Sequence, residues 1–256
     1  MSHLQHEEAR VNTAEWSDVT VSKDGTHHVR GAMPIYSNRF HEVLKFHAPG
    51  YAPARDATGA FHIAITGAEA YLSRFVRTFG FYDNLAAVIG DDGWFHISPR
   101  GTPLYSKRFA WCGNYQEHRC AVRQFDGRYR HIDEEGHPVY KCTWNYTGDF
   151  KDGSAVVQRE DGRSTHIDTM GRLIHGAWFV DLDIFHKRFA RARDDDGWFH
   201  IIESGLPAYT ARFSMVEPFY NGFARCETRS GKRVIIDEFG VVMHTIANNV
   251  LLTETI

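Results

Sequence analysis

The chain has 256 residues, 43% of them hydrophobic and 24% charged, with a formal net charge of −3. That balance describes a globular chain long enough to bury a sizeable core, and without a basic excess to neutralise phosphates it argues against a nucleic-acid partner. No apolar run approaches the roughly 20 residues a membrane helix needs, so no membrane partner is expected either.

Residues 1–16, MSHLQHEEARVNTAEW, are polar and lack the apolar stretch of a signal peptide. They read as an N-terminal arm, and residues 17–256 as a single β domain. The 14% aromatic share favours pleated strands. Cys112, Cys120, Cys142 and Cys226 show neither a CxxC pair nor zinc-finger spacing. They are expected to be reduced thiols of a cytoplasmic protein.

From residue 17 onward the chain repeats itself. One marker histidine recurs at His27, His62, His96, His131, His166 and His200, and Ile235 takes its place in a seventh copy. The steps are 35, 34, 35, 35, 34 and 35 residues. Other columns keep the same step. A small residue five after the marker runs from Ala32 through Gly67, Gly101, Gly136, Gly171 and Gly205 to Gly240. Four residues later come Tyr36, Tyr71, Tyr105, Tyr140, His175, Tyr209 and His244.

Each copy is expected to be a three-stranded antiparallel meander. In the fifth, SAVVQRE (154–160) is a strand, Asp161-Gly162 a hairpin turn, RSTHID the second strand and RLIHGAWF the third. Alternation sends Phe199 and Ile201 toward the core and the marker between them to the opposite face. Asp133, Asp168 and Asp237 fit turn chemistry. Arg39, Arg74, Arg108 and Arg212 are expected to lie over the core or pair between units.

DGRYRHIDEEG (126–136) together with GDFKDGSAVV (148–157) resembles the WG, or KWG, repeat of bacterial proteins, and the resemblance covers about residues 18–246. It implies an all-β repeat array acting as a binding or accessory module. The departure is the marker column, where that family usually carries an aromatic and this chain carries histidine.

The expected fold is all-β: seven meander units closed into a seven-bladed propeller-like disc, with an open β-solenoid as the alternative. Closure is expected from DVTV (18–21), completing the sheet begun by the C-terminal copy, with NNVLLTETI (248–256) packing nearby.

Two functions are open. In the first, aromatic and charged rim loops bind a protein or small ligand. The contacts would be Trp111, Tyr115 and His118 at one break in the repeat, and Trp178, Asp181 and Tyr220 at another. In the second, the chain is a small enzyme doing hydrolysis, isomerisation or lyase chemistry on a small polar metabolite. His131, His166, Asp183, His186 and Glu217 would be the catalytic groups. His62, His96, His131, His166 and His200 would converge on a divalent metal, zinc or iron. The plainer reading of that column is a strut repeated in every unit. No phosphate loop, nucleophile elbow or HExxH motif is present.

Overall fold

The computed structural model describes residues 16–246. The arm at 1–15 and the 248–256 tail lie outside the described residues. Within them there are 22 strands and no helix, arranged as seven antiparallel sheets in chain order. The contacts gather into two compact units, one within Met1–Gly127 and His131–Pro138, the other within Arg128–Arg130 and Val139–Ile256.

The first unit carries the early sheets, except Tyr129 and Arg130 of the fourth, which fall in the second. The first sheet is β1 (Val19–Val21), β2 (His28–Arg30) and β3 (Met33–Pro34). The second is β4 (Glu42–Val43), β5 (Tyr51–Asp56) and β6 (Gly59–Ala64). The third is β7 (Arg77–Tyr82), β8 (Leu85–Gly90) and β9 (Gly93–Ile97). The fourth is β10 (Trp111–Gln116), β11 (Arg119–Arg123) and β12 (Tyr129–Ile132).

The second unit carries the rest. The fifth sheet is β13 (Tyr146–Thr147), β14 (Ser154–Gln158) and β15 (Ser164–Asp168). The sixth is β16 (Asp181–Leu182), β17 (Phe189–Asp194) and β18 (Gly197–Ile202). The seventh has four strands, β19 (Met215–Val216), β20 (Phe223–Glu227), β21 (Arg233–Asp237) and β22 (Val242–Ile246).

Three sequence expectations change at this level. RLIHGAWF is not a third strand. It touches the marker strand at two bridges, Ile167↔Leu173 and Ser164↔Phe179, on its way to the sixth sheet. The third strand is instead the short one that precedes the hairpin, β13 in this copy. Second, DVTV does not seal the array: Val19–Val21 pairs with His28–Arg30 inside the first sheet, and the seventh sheet is completed by its own β22. Third, the marker face is not open. Phe61, His62 and Ile63 are all fully buried, as are Phe199, His200 and Ile201. A strand buried on both faces reads as a short continuous apolar run rather than a half-buried alternation. A neutral, hydrogen-bonded imidazole is compatible with that run.

The marker in the first copy also moves by one. His28, not His27, is fully buried and makes the bonds of the column.

Candidate functional site

The histidine column joins one sheet to the next. In five copies the marker Nε2 lies against a main-chain carbonyl at or beside the first strand of the following sheet. The pairs are His28–Leu44 at 2.8 Å, His62–Phe79 at 2.8 Å, His96–Gly113 at 3.0 Å, His166–Asp183 at 2.9 Å and His200–Glu217 at 2.9 Å. A carbonyl only accepts, so Nε2 carries the proton and donates it. Nδ1 is then the acceptor. It takes the O–H of Tyr36, Tyr71, Tyr105 and Tyr209, at 2.5 Å from Tyr36 and 2.6 Å from Tyr209. In the fifth copy it faces Nε2 of His175 at 3.0 Å. Burial pushes His62, His96, His166 and His200 down to about 4. These rings are neutral near pH 7, each in one fixed tautomer.

The tyrosine that holds each ring does a second job. Its own ring covers a turn glycine of the next copy. A Cβ on Gly67 would meet Tyr36, one on Gly101 would meet Tyr71 and one on Gly240 would meet Tyr209, all at 2.7 Å or less. These glycines have φ near +75°, so both the backbone and the neighbouring ring require glycine. The arginine column caps the same junction. Arg108 lies 3.8 Å over Phe95, bonds Asp92 at 2.8 Å and donates to the carbonyls of Ser106 and Lys107. Arg212 repeats this over Phe199, with Asp194 as its acid. Asp168 and Asp237 accept main-chain N–H bonds across their turns.

This geometry takes up most of the side chains assigned to chemistry. At His62, His96, His166 and His200 each ring nitrogen already has a partner within the chain. His131 is fully buried like the others. The column does not assemble into a ligand set. Among the described residues the group with metal-ligating spacing is Asp133, Glu135 and His137, on an outer turn. Asp183 is paired with Arg191 of the adjacent strand, and Arg191 also donates to the Val216 carbonyl at 3.1 Å. Glu217 is likewise paired with Arg225 in the seventh sheet. Asp181 is exposed, its carboxylate accepting from the Leu182 N–H at 3.0 Å. His186 is exposed on the hairpin before β17.

The residues expected to grip a ligand divide. Tyr115 is fully buried and donates its O–H to the Asp133 carbonyl at 2.7 Å, so it is core rather than a stacking surface. His118 sits beside Glu117 in a two-residue hairpin with both φ values positive, and its ring bonds Glu134 at 2.8 Å. That acid raises the His118 pKa. Trp178 is half-buried under Arg159, whose guanidinium stands 4.4 Å from the ring. Trp111 is partly exposed and Tyr220 largely exposed.

The second unit also holds a groove that no sequence motif marks. It has a volume of about 570 Å³. Phe189, Ile202, Pro207 and Phe239 give it apolar walls, and Arg188, Glu203 and Glu238 supply charge. Arg188 and Glu238 face each other at 3.5 Å. A signal was present in the repeat. Four residues after the marker stand Thr66, Arg100, Glu135, Met170 and Ser204, and then Phe239, which is 81% exposed. An aromatic at an outer turn serves no packing inside its own sheet.

No protein-family model matches the chain, and no curated protein matches it. Solved structures do. A eukaryotic initiation factor is 9% identical over 90% of this chain and 72% of its own, with a TM-score of 0.54. BamB from Moraxella catarrhalis is 13% identical over 90% and 84%, with a TM-score of 0.47. The computationally designed Ika8 protein is 12% identical over 89% and 83%, with a TM-score of 0.46. At these identities the likeness is one of fold alone. No helix among the described residues is long and apolar enough to cross a membrane.

Proposed function

We propose that the protein is a binding module whose recognition surface is the groove between Phe189, Ile202, Pro207 and Phe239. One observation carries this reading. The histidines, tyrosines and arginines of the repeat are engaged in holding sheets together, whereas Phe239 is large, apolar and exposed at the edge of a concave site. Ligand sites combine apolar walls with a few placed polar groups, and this groove has that composition. An apolar or aromatic side chain of a peptide or small ligand fits the walls. Arg188 and Glu203 would orient its polar ends. The membership in WG-type repeats expected from the sequence agrees with such a role.

A peptide array displaying short apolar and aromatic sequences tests the reading, probed with wild type and with Ile202→Glu/Phe239→Ser. Both substituted residues are solvent-accessible, so the variant keeps its melting temperature. Selective binding by the wild type that the variant loses supports the groove. Equal binding by both proteins, or none by either, overturns it.

A further inference from the structure

The groove beside Phe239 holds two acids, and one of them is unbalanced. Glu203 and Glu238 both stand third after the marker position of their copies, His200 and Ile235. Glu238 faces Arg188, of the hairpin before β17, at 3.5 Å. Glu203 is exposed and has no ion-pair partner among the described residues. The difference lies in the hairpins. Ala155 and Ala190 are equivalent, since each pairs with the residue after its marker, Ile167 and Ile201. Two residues before Ala190 is Arg188. Two residues before Ala155 is Gly153, which has no side chain to offer an acid. The groove is therefore lined by one arginine against two carboxylates, Glu203 and Glu238.

Elsewhere in the chain an aromatic ring and a carboxylate are joined by an arginine. Arg74 lies 4.0 Å over Phe61 and bonds Glu69 at 2.6 Å. Arg108 joins Phe95 to Asp92, and Arg212 joins Phe199 to Asp194, in the same way. The negative face of the ring and the opposite charge of the acid both attract the guanidinium. The groove offers the ring and the acid without the cation. Phe239 is largely exposed, and its ring has no aromatic or arginine partner among the described residues. Arg188 is already held by Glu238.

We propose that the occupant of this groove is a basic peptide segment, in which an arginine or lysine stands beside an apolar side chain. The apolar side chain lies against Phe189, Ile202 and Pro207. The cation lies over Phe239, and Glu203 meets its charge. Arg188, balanced by Glu238, is left to donate to a main-chain carbonyl of the peptide. Given the groove as the recognition surface, the reading on which this rests, Glu203 sets the sign of charge its ligand carries.

Fluorescence polarisation with three labelled hexapeptides tests this. One is Ser-Gly-Phe-Arg-Gly-Ser, and the other two have glutamine or glutamate in place of the arginine. Wild type should bind the arginine peptide about fivefold more tightly than the glutamine peptide, and the glutamate peptide most weakly. Raising the salt to about 0.5 M should narrow that spread. Glu203→Gln should bring the arginine and glutamine peptides to equal affinity, and Glu203→Lys should place the glutamate peptide first. Glu203 is exposed, so both variants should keep the melting temperature of the wild type. Equal binding of all three peptides by wild type, lost in Ile202→Glu/Phe239→Ser, overturns the basic ligand and leaves the groove standing. An arginine preference that survives Glu203→Gln also overturns it. Failure to bind any of the three overturns the basic ligand and the groove together.

Discussion

His200 in the sixth sheet donates its Nε2–H to the main-chain carbonyl of Glu217 in the seventh, at 2.9 Å, while its Nδ1 accepts from Tyr209. One ring thus bonds the segment that follows its own strand and the first strand of the next sheet, and it does so buried at 1% exposure. His200→Ala removes both bonds and opens a cavity. The expected loss is about 2–4 kcal/mol, roughly 5–10 °C in melting temperature. Tyr209→Phe removes a single hydroxyl and leaves Nδ1 without a donor, at a cost of about 1–2 kcal/mol. A pair of thermal melts in which Tyr209→Phe costs as much as His200→Ala would contradict the strut.

The same burial makes stability depend on pH. In the unfolded chain these imidazoles titrate at 6.5, and in the folded chain at about 4 for His62, His96, His166 and His200. Between those values the unfolded state binds more protons, so stability rises with pH across the window. The stabilisation is complete above 6.5 and is lost as pH falls toward 4. Each histidine contributes a slope on the order of 1 kcal/mol per pH unit there. Urea midpoints measured from pH 7 to pH 4 should fall steeply from about pH 6. A flat profile down to pH 4.5 would show that the rings are not buried neutral.

The repeat was legible because the same packing problem is solved at one junction after another within each unit. Marker, glycine, aromatic ring and arginine recur since each touches the others across two copies. The all-β class, the seven units and the hairpin turns follow from that periodicity. The chemistry was harder to place. A buried neutral histidine and a metal-ligating histidine are the same letter, and only the partners of both nitrogens distinguish them. Asp183 and Glu217 read as free catalytic acids in the sequence because their arginines, Arg191 and Arg225, lie eight residues on and reach back across a hairpin. The first copy was misread by one residue, His27 for His28, because its turn is shorter. Phe239 is a single departure in a column, and columns of turns vary too freely for one letter to stand out.

The glycines separate two costs that are usually merged. Gly101 has a φ of +73° and Tyr71 ring atoms 2.5 Å from where a Cβ would sit. Gly25 has a φ of +71° and nothing within 4 Å. Gly25→Ala pays only for the backbone, about 1 kcal/mol. Gly101→Ala must also displace a ring that is bonded to His62, and an additional loss of about 1–3 kcal/mol is expected. Denaturant melts of the two variants should differ clearly, and equal losses would mean that the junction yields freely.

Thiol accessibility checks the packing of the fourth and seventh sheets. Cys112, Cys120 and Cys226 are buried thiols, and Cys142 is an exposed one. Burial raises the pKa of Cys112 and Cys226. An aromatic disulfide reagent should therefore titrate one thiol per native chain and four after denaturation. Cys142→Ser should abolish the native signal. Rapid reaction of two or more thiols in the native protein would show that these sheets open readily.

Metal dependence distinguishes the two readings of the histidine column most directly. A ligand nitrogen needs a free lone pair. In His62 and His96 that lone pair, on Nδ1, faces the hydroxyl of Tyr71 or Tyr105, and Nε2 is spent on a carbonyl. To ligate, either ring would have to break a buried bond and leave a tyrosine hydroxyl or a carbonyl unsatisfied, at about 1–3 kcal/mol for each group. A strong chelator should therefore leave the melting temperature unchanged. His62→Ala/His96→Ala should lower it by roughly 10 °C or more without altering metal content measured by elemental analysis. Metal bound in near-stoichiometric amount and lost in that double variant would require the rings to have turned from their tyrosines, and the column would then be a site instead of a set of struts.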